Sequence, residues 1–300
     1  MRFWQVCRCA VALLLAIVIA PLAGHAQAPP KQLRIGLIPE MNVFKQMARY
    51  KPVADYLSEQ TGAEVKMVIL SRYGNILESF GKGELDGAFF GSFTGALALR
   101  QLRLMPLARP VNLDGESTYR GLLYVRKDSG IAGVGDMRGK KFAFVDKATT
   151  AGYLFPLALL RKNGIDDFAA FFGEYFFSGS HDAAMDAVLN GKADIGASKN
   201  TVYEFVRLNN PRIDRELLVL ATSAPAPSNA LCLRDDLDPA LLARLRQALL
   251  EMERSARGKE VLEKLGALHF IATSREDYLP VFAMAEEAGI DLQSYRYLNE

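Results

Sequence analysis

The stretch KQLRIGLIPEMNVFKQMARYKPVADYLSEQTGAEVKMVIL, residues 31–70, decides the predicted fold of this chain. An apolar strand that ends at Pro39 leads into a helix, which is interrupted near Pro52 and closed by Gly62, and a second apolar strand follows. The apolar positions of the helix are Val43, Phe44, Met47, Val53 and Leu57. A strand–helix–strand order favours a parallel sheet, so we predict an α/β fold.

One order of elements occurs twice in the chain. The segment ILESFGKGELDGAFFGS combines an amphipathic helix, a glycine turn, an aspartate and a strand, and AMDAVLNGKADIGASKN repeats that order. The glycine and the aspartate hold the same relative places in both copies: Gly83 and Asp86, then Gly191 and Asp194. Helix–turn–strand units look alike in many α/β proteins, but two similar α/β lobes are the simplest account of the repeat.

Two similar extended segments are predicted to connect these lobes. TYRGLLYVRKDS and SNALCLRDDL are both apolar runs that end in an arginine and acids, and the proline-rich TSAPAPS precedes the second. The last third is predicted to be helical, with helix starts at Asp238 and Ser274. The predicted division has four parts. Residues 1–28 are a signal peptide, residues 31–120 are the first part of lobe 1, and residues 121–224 are lobe 2. Residues 225–300 are a return crossover with C-terminal helices that complete the fold.

The first 28 residues have the features of a secretory signal peptide. Arg2 and Arg8 precede the apolar run AVALLLAIVIA, and small residues offer a cleavage site after Ala26 or Ala28. The apolar run is too short for a membrane-spanning helix, which disfavours a retained anchor. We therefore predict a periplasmic protein that does not insert into the membrane after the signal is cleaved.

The composition of the exported part excludes several protein classes. Cys232 is its only cysteine, so it is not a small fold stapled by disulfides. The chain has 36 basic residues, of which Arg2 and Arg8 lie in the signal peptide, against 34 acidic ones. A nearly neutral chain without a long basic run argues against nucleic acid as a partner. We expect a monomer.

The sequence shows few features that are typical of enzymes. The exported part has two histidines, His181 and His269, and we find no metal-ligand spacing, nucleophile elbow, phosphate-loop lysine or dinucleotide-binding glycines. The sequence therefore predicts a protein that is not an enzyme and uses neither a cofactor nor a metal.

The strongest signal for a binding site is FVDKATTAGYLFP, residues 144–156. Thr149, Thr150 and Gly152 stand between a strand and a helix, where several N–H groups and two hydroxyls converge on the positive end of the helix dipole and favour an anion. An ordinary threonine N-cap is common, and from this feature alone it is the favoured explanation. Pro156 predicts an irregular helix start. A second such start, SGSHDAAMDAVLNG, places His181 in its first turn, at the mouth of a cleft.

Four segments together resemble the periplasmic phosphonate-binding proteins of ABC importers. They are SRYGNILESFGKGELDGAFFG, TYRGLLYVRKDS, FAFVDKATTAGYLFP and GSHDAAMDAVLNGKADIGA. In that family the third segment usually reads S-T-S-G and the fourth carries G-H-E or S-H-D, and the likeness extends from LRIGLIPE to VLEKLGALHF. The resemblance implies a bilobed, type II-like periplasmic binding protein, with two α/β lobes that are joined by two crossover strands and close around a ligand.

The resemblance also implies the site residues. Tyr73 matches the family's first-lobe tyrosine that contacts the phosphonate, and Tyr119, also assigned to the site, matches the tyrosine at the first crossover. The loop-like contexts of both favour exposed phenols over core packing. The hydroxyl pair matches Thr149 and Thr150, and the ligand-facing histidine matches His181. Gly152 occupies the glycine of the S-T-S-G pattern.

Departures from the family pattern narrow the predicted ligand. Ala151 replaces the third hydroxyl, and Thr201 and Asn229 stand where aminoalkylphosphonate binders have the two carboxylates that hold an ammonium group. Asp182 and Asp194 are acidic, but a helix start and a structural turn account for them at least as well. We therefore predict a ligand without an amine, namely phosphate, phosphite or a small alkylphosphonate.

The predicted function is that of the solute-binding component of an ABC importer, with a permease in the inner membrane as its partner. The alternative that the sequence leaves open is an exported sensor of the same fold that reports to a membrane kinase or chemoreceptor. An enzyme that acts on an anion would need a nucleophile or a general base that the sequence does not offer.

Overall fold

The structure, a computed structural model, describes residues 32–297. The predicted signal peptide lies outside the described residues. The strands are β1 Gln32–Leu37, β2 Glu64–Ile69, β3 Gly87–Phe90, β4 Leu104–Asn112, β5 Thr118–Tyr119, β6 Gly121–Arg126, β7 Lys141–Phe144, β8 Glu174–Phe177, β9 Ile195–Lys199, β10 Leu217–Thr222, β11 Ala226–Pro227, β12 Ala230–Arg234 and β13 Ala267–Ala272. The helices are α1 Val43–Thr61, α2 Asn75–Gly81, α3 Ser92–Gln101, α4 Phe155–Lys162, α5 Phe168–Phe171, α6 His181–Leu189, α7 Asn200–Asn209, α8 Arg212–Glu216, α9 Pro239–Leu250, α10 Ala256–Leu265 and α11 Leu279–Glu287.

The strands form two main sheets, each the centre of one α/β lobe. The sheet of lobe 1 has the order β13-β4-β12-β3-β1-β2, and the sheet of lobe 2 has the order β10-β6-β9-β7-β8. In each sheet three neighbouring strands are parallel, and the next strand runs antiparallel to them. The predicted α/β fold with two lobes is confirmed.

The two sheets repeat one topology. The order β2-β1-β3-β12-β4 in lobe 1 corresponds to β8-β7-β9-β6-β10 in lobe 2. The repeated aspartates make the same contact in both copies. Asp86 Oδ2 accepts the N–H of Arg34, and Asp194 Oδ2 accepts the N–H of Lys141, each at 2.9 Å. Each aspartate thus holds the start of the first parallel strand of its sheet.

A short two-stranded ribbon connects the lobes, in which β5 pairs antiparallel with β11. The ribbon lies next to the segments that the sequence predicted as connections, but most of each segment belongs to a sheet. β6 enters the sheet of lobe 2 and β12 enters the sheet of lobe 1, because both are apolar runs that the lobes bury.

Helix α1 differs from its prediction in two respects. It runs through Pro52 without interruption and is closed by its C-cap residue Gly62, which adopts a left-handed φ of 71°. Val43 and Phe44 are exposed, at 47% and 82%, because the face that packs on the sheet begins one turn later, with Gln46 and Tyr50.

The C-terminal third was predicted to be helical, and it also contains the strand β13, which pairs with β4 at the edge of the lobe 1 sheet. The predicted helix start at Ser274 is wrong. The N–H of Ser274 donates to the carboxylate of Asp277, and α11 begins only at Leu279, after one 3₁₀ turn. The predicted start at Asp238 is confirmed, since its side chain caps α9.

Helix α11 packs against both lobes, on α3 of lobe 1 and on α4 of lobe 2. One cluster of buried apolar side chains is likewise shared by the lobes, whereas a second cluster fills the opposite face of the lobe 1 sheet under α1, α9 and α10. Within residues 32–297, no helix is both long enough and apolar enough to cross a bilayer.

Candidate functional site: a cavity between the lobes

A small cavity lies where the carboxyl ends of the parallel strands of both lobes face each other, which is where open α/β sheets bind ligands. Its volume is about 10 Å³, roughly the space of one water molecule. Its lining residues come from both lobes and from the ribbon: Ile38, Glu40, Tyr73, Gly91, Phe93, Tyr119, Ala148, Thr149, Thr150, His181, Lys199 and Asn229.

The helix that follows β7 begins with a π-helical turn, Thr150–Leu154. Its first internal hydrogen bond runs from the N–H of Leu154 to the carbonyl of Thr149, at 3.0 Å. The four N–H groups of residues 150–153 therefore have no partner inside the helix, one more than the corresponding turn of an α-helix would leave. The hydroxyl of Thr149 donates to the carbonyl of Asp146, at 2.7 Å, and does not cap the helix.

The irregular start that Pro156 predicted is present, and its geometry has a clear cause. Proline has no N–H and cannot donate to the carbonyl of Gly152, four residues earlier. That carbonyl instead accepts the N–H of Val145, at 3.1 Å. A Cβ on Gly152 would lie 2.4 Å from Cβ and Cγ2 of Val145, so only glycine lets the helix start approach the end of β7 this closely.

Thr150 and Tyr119 belong to a hydrogen-bonded group at the junction of the lobes. The N–H of Phe93, in lobe 1, donates to Oγ1 of Thr150, in lobe 2, at 2.9 Å. The hydroxyl of Ser92 is hydrogen-bonded to the phenol of Tyr119 at 2.7 Å and to the carbonyl of Pro227 at 2.8 Å. Burial raises the pKa of Tyr119 to about 12, although hydrogen bonds from Ser92 and Thr150 oppose the shift, so the phenol is protonated.

Tyr73 is the clearest sign of a ligand. Its side chain is 2% exposed and lines the cavity, yet its phenol oxygen has no hydrogen-bond partner among residues 32–297. The ring lies edge-on to that of His181, with centroids 6.1 Å apart. A buried hydroxyl without a partner costs ~1–3 kcal/mol, and such a group in a cavity calls for an acceptor that the folded chain does not supply.

His181 is the first residue of α6 and is buried. Its N–H donates to the carbonyl of Glu40 across the lobes, at 3.3 Å, and its Nδ1 accepts the N–H of Lys199, also at 3.3 Å. Burial lowers the pKa of His181 from 6.5 to about 4; the Glu40 carboxylate opposes this shift and Lys199 adds to it. The imidazole is therefore neutral near pH 7 and, because Nδ1 accepts, carries its proton on Nε2 as a donor.

We expect His181 to make the folded protein less stable as the pH falls from 6.5 to about 4. In this range the unfolded chain binds a proton at His181 that the folded chain does not bind, so the free energy of unfolding decreases, by roughly 3 kcal/mol over the whole range. Burial, the largest single effect, raises the pKa of Glu40, but Lys199 and the other nearby cations lower it further, so the pKa lies below its ordinary value. In His181→Gln, the free energy of unfolding measured with urea should decrease much less between pH 7 and pH 5 than in the wild type. An equal decrease in both proteins would show that His181 does not cause it.

Sequence reasoning missed two charged residues in the cavity, Glu40 and Lys199. The Lys199 ammonium lies 2.9 Å from Oε1 of Glu40 and 3.1 Å from Oδ1 of Asn229, and 4.4 Å from the ring centroid of Tyr119. One signal for this pair was available. Lys199 ends the otherwise small and apolar strand IGASK, and Glu40 closely follows the strand β1.

The structure brings six of the eight predicted site residues together at the cavity: Tyr73, Tyr119, Thr149, Thr150, His181 and Asn229. Gly152 and Thr201 are not among the lining residues; Gly152 packs on Val145, and Thr201 is half-buried in the first turn of α7. The expectation of exposed phenols is wrong for both tyrosines, because the two lobes enclose them. His181 likewise lies inside the cavity wall and not at its mouth. Within the described residues, no group of histidines, cysteines and acids is arranged to hold a metal ion.

The chain is similar to several known proteins. Residues 35–278 match the family described as the periplasmic substrate-binding protein of phosphonate ABC transporters. The phosphate-import protein PhnD of Mycolicibacterium smegmatis is 31% identical over 61% of this chain and 60% of its own length. A probable phosphite-binding ABC transporter protein of Prochlorococcus marinus is 26% identical over 95% of this chain and 96% of its own length.

Solved structures show the same fold. A binding-protein component of a phosphonate ABC transporter from Pseudomonas aeruginosa superimposes with a TM-score of 0.80, at 25% identity over 87% of both chains. PhnD1 of Prochlorococcus marinus, solved with methylphosphonate, gives a TM-score of 0.77 at 23% identity over 87% of this chain and 99% of its own. With most of its length matched by the family, the chain belongs to the periplasmic substrate-binding proteins of phosphonate ABC transporters.

Proposed function

We propose that this chain captures a small phosphorus oxyanion, such as phosphate, phosphite or a small alkylphosphonate, and delivers it to an ABC permease in the inner membrane. The observation that carries the proposal is the phenol of Tyr73, a buried donor that faces the cavity and has no acceptor among residues 32–297. The relatives that bind or import phosphate, phosphite and methylphosphonate support this ligand class.

The other groups of the cavity fit such a ligand. Thr150, the first residue of the π-helical turn, lines the cavity together with the neutral imidazole of His181. The N–H of Thr150, which has no partner inside the helix, and Nε2 of His181 are able to donate to oxygen. Ligand pockets for drug-sized molecules usually enclose about 300–1,000 Å³. The volume of this cavity on the same scale is about 10 Å³, room for about one water molecule, so a phosphorus oxyanion enters only when the lobes separate.

Capture requires that the lobes separate and close again. Hydrogen bonds that cross between the lobes have to break on opening, among them Phe93 to Thr150 and His181 to Glu40. We propose that the lobes predicted from the sequence, 31–120 with 225–300 and 121–224, move about the ribbon of β5 and β11 as a hinge, and that the closed form docks on the permease. The predicted signal peptide, residues 1–28, would direct export.

The expected affinity follows from the donors. A hydrogen bond to a charged group contributes about 1.5–3 kcal/mol, and four or five such bonds, less the costs of ordering and closure, give about −8 kcal/mol, or a micromolar Kd.

Titration calorimetry tests the proposal on the chain without its signal peptide. We expect phosphate, phosphite or methylphosphonate to bind with 1:1 stoichiometry and a Kd in the micromolar range, and to raise the melting temperature, because a ligand that binds only the folded state stabilises it. Acetate, a planar anion with a single charge, is the control. If none of the three phosphorus compounds gives heat or a thermal shift, the proposed function is wrong.

A further inference from the structure

We infer that Lys199 determines which oxyanions the cavity accepts. Its ammonium group pairs with the carboxylate of Glu40 and so occupies the position in which the amine of an aminoalkylphosphonate would otherwise bind. This inference rests on the proposed function and adds the residue that selects within the ligand class. It rests on the contacts of the Lys199 side chain, which the cavity holds in one position.

Three groups fix the Lys199 ammonium. Glu40 accepts from it at 2.9 Å, Asn229 accepts at 3.1 Å, and the ring of Tyr119 lies beneath it, 4.4 Å from the nitrogen to the centroid. The side chains of Lys199 and Glu40 are only 9% and 8% exposed. A lysine with this many partners is a fixed part of the cavity wall and not a mobile surface chain.

The charges of the cavity wall cancel in this arrangement. Among the lining residues that the described part of the chain, 32–297, contributes, only Glu40 and Lys199 carry a full charge, since His181 is neutral. The carboxylate of Glu40 remains ionised, because Lys199 lowers its pKa although burial acts in the opposite direction and is the larger single effect. Asp182, a nearby acid outside the lining, already accepts the N–H of Asn42 at 3.2 Å and contacts the hydroxyl of Ser180.

A ligand with an ammonium group therefore finds no free counter-charge in the cavity. Its ammonium would have to lie near that of Lys199 in a place with little water, where like charges repel strongly. An oxyanion meets the opposite situation. Lys199 has three N–H donors, of which Glu40 and Asn229 accept two, and the ammonium attracts negative charge. The cavity is thereby suited to phosphorus oxyanions without an amine.

The position of the pair implies when this selection acts. Glu40 follows β1 in lobe 1, whereas Lys199 ends β9 in lobe 2, so the ion pair spans the two lobes. Opening of the lobes separates the two charges, and closure brings them together around the ligand. A ligand that carries an amine is therefore rejected at the closing step, when its ammonium group meets that of Lys199.

The test compares methylphosphonate with 2-aminoethylphosphonate in titration calorimetry on wild type, Lys199→Gln and Glu40→Gln. We expect the wild type to prefer methylphosphonate by at least about 100-fold. Lys199→Gln should weaken methylphosphonate about 10- to 100-fold and reduce the preference at least about 10-fold, because Glu40 then repels the oxyanion and attracts the amine. Glu40→Gln should bind methylphosphonate at least as tightly as the wild type and 2-aminoethylphosphonate more weakly, because Lys199 has then lost its counter-charge.

Opposite effects of the two variants distinguish charge selection from a structural role, in which both substitutions would weaken both ligands alike. Lys51→Gln, which removes an exposed lysine paired with Asp55, is the matched control and should change neither affinity. An unchanged preference in Lys199→Gln, or a loss of methylphosphonate binding in Glu40→Gln, would overturn the inference. If Lys199→Gln does not fold, the affinities of Glu40→Gln for the two ligands suffice to test the inference. Failure of the wild type to bind any phosphorus oxyanion would instead overturn the proposed function, and this inference with it.

Discussion

Tyr73→Phe should weaken binding of the oxyanion about 10- to 100-fold while the ligand-free protein becomes as stable as the wild type or more stable. The phenol of Tyr73 has no partner among the described residues, so its removal breaks no bond in the folded chain and relieves the cost of a buried, unsatisfied hydroxyl, ~1–3 kcal/mol. The bound oxyanion, however, loses a hydrogen bond to a charged acceptor, ~1.5–3 kcal/mol. Calorimetry with phosphate or methylphosphonate and urea unfolding without ligand measure the two effects.

Tyr124→Phe is the matched control for Tyr73→Phe. Tyr124 is equally buried, but its hydroxyl is hydrogen-bonded to that of Ser198 at 2.7 Å and does not line the cavity. We expect the reverse pattern, a loss of about 1 kcal/mol in stability and little change in affinity. A Tyr73→Phe variant that is destabilised and binds normally would show that this phenol has a structural role and does not contact the ligand.

Gly152→Ala should have the second large effect, on both stability and binding. The added Cβ would lie 2.4 Å from Cβ and Cγ2 of Val145, and a branched side chain at the end of a strand cannot rotate away. Overpacking of this kind costs about 1–3 kcal/mol. The start of the helix must shift to accommodate it, which moves the N–H groups of residues 150–153 and should weaken oxyanion binding at least about 10-fold.

Gly133→Ala provides the comparison for Gly152→Ala. Gly133 has extended backbone, with φ at −159°, and a Cβ there meets no heavy atom within 4 Å. Its replacement should leave affinity unchanged and stability nearly so. The role assigned to Gly152 would be refuted by a Gly152→Ala protein that binds phosphate or methylphosphonate like the wild type. Melting temperatures and calorimetric Kd values for both variants, side by side, make the comparison.

The sequence predicted those parts of the fold that local patterns determine. Apolar periodicity identified the strand–helix–strand unit, and the repeated glycine and aspartate identified the second lobe, because the same turn and the same N–H acceptor recur at Asp86 and Asp194. The π-helical turn was anticipated as irregularity, since Pro156 lacks an N–H. The strand β13 was missed because a short apolar run between helices does not by itself distinguish a strand from a buried helix segment.

The candidate site was predictable only in part, for a physical reason. Tyr73, His181 and the threonines carry their signal in local motifs, whereas the pair of Glu40 and Lys199 joins residues 159 positions apart. Nothing near either residue indicates its partner, and charged residues are exposed far more often than buried. The burial of the tyrosines also depends on how the lobes meet, which no local pattern encodes.

The position of β12 between β3 and β4 affects the order in which the two lobes are able to fold. The sheet of lobe 2 is built from one continuous stretch, β6 to β10, and needs no residue beyond 222. The other sheet has a gap at its centre until residues 230–234 arrive, so the middle of the chain is able to finish folding before its beginning. Asn229, which directly precedes β12, comes into place with that strand, so the cavity is not complete before the central strand of lobe 1 has joined its sheet.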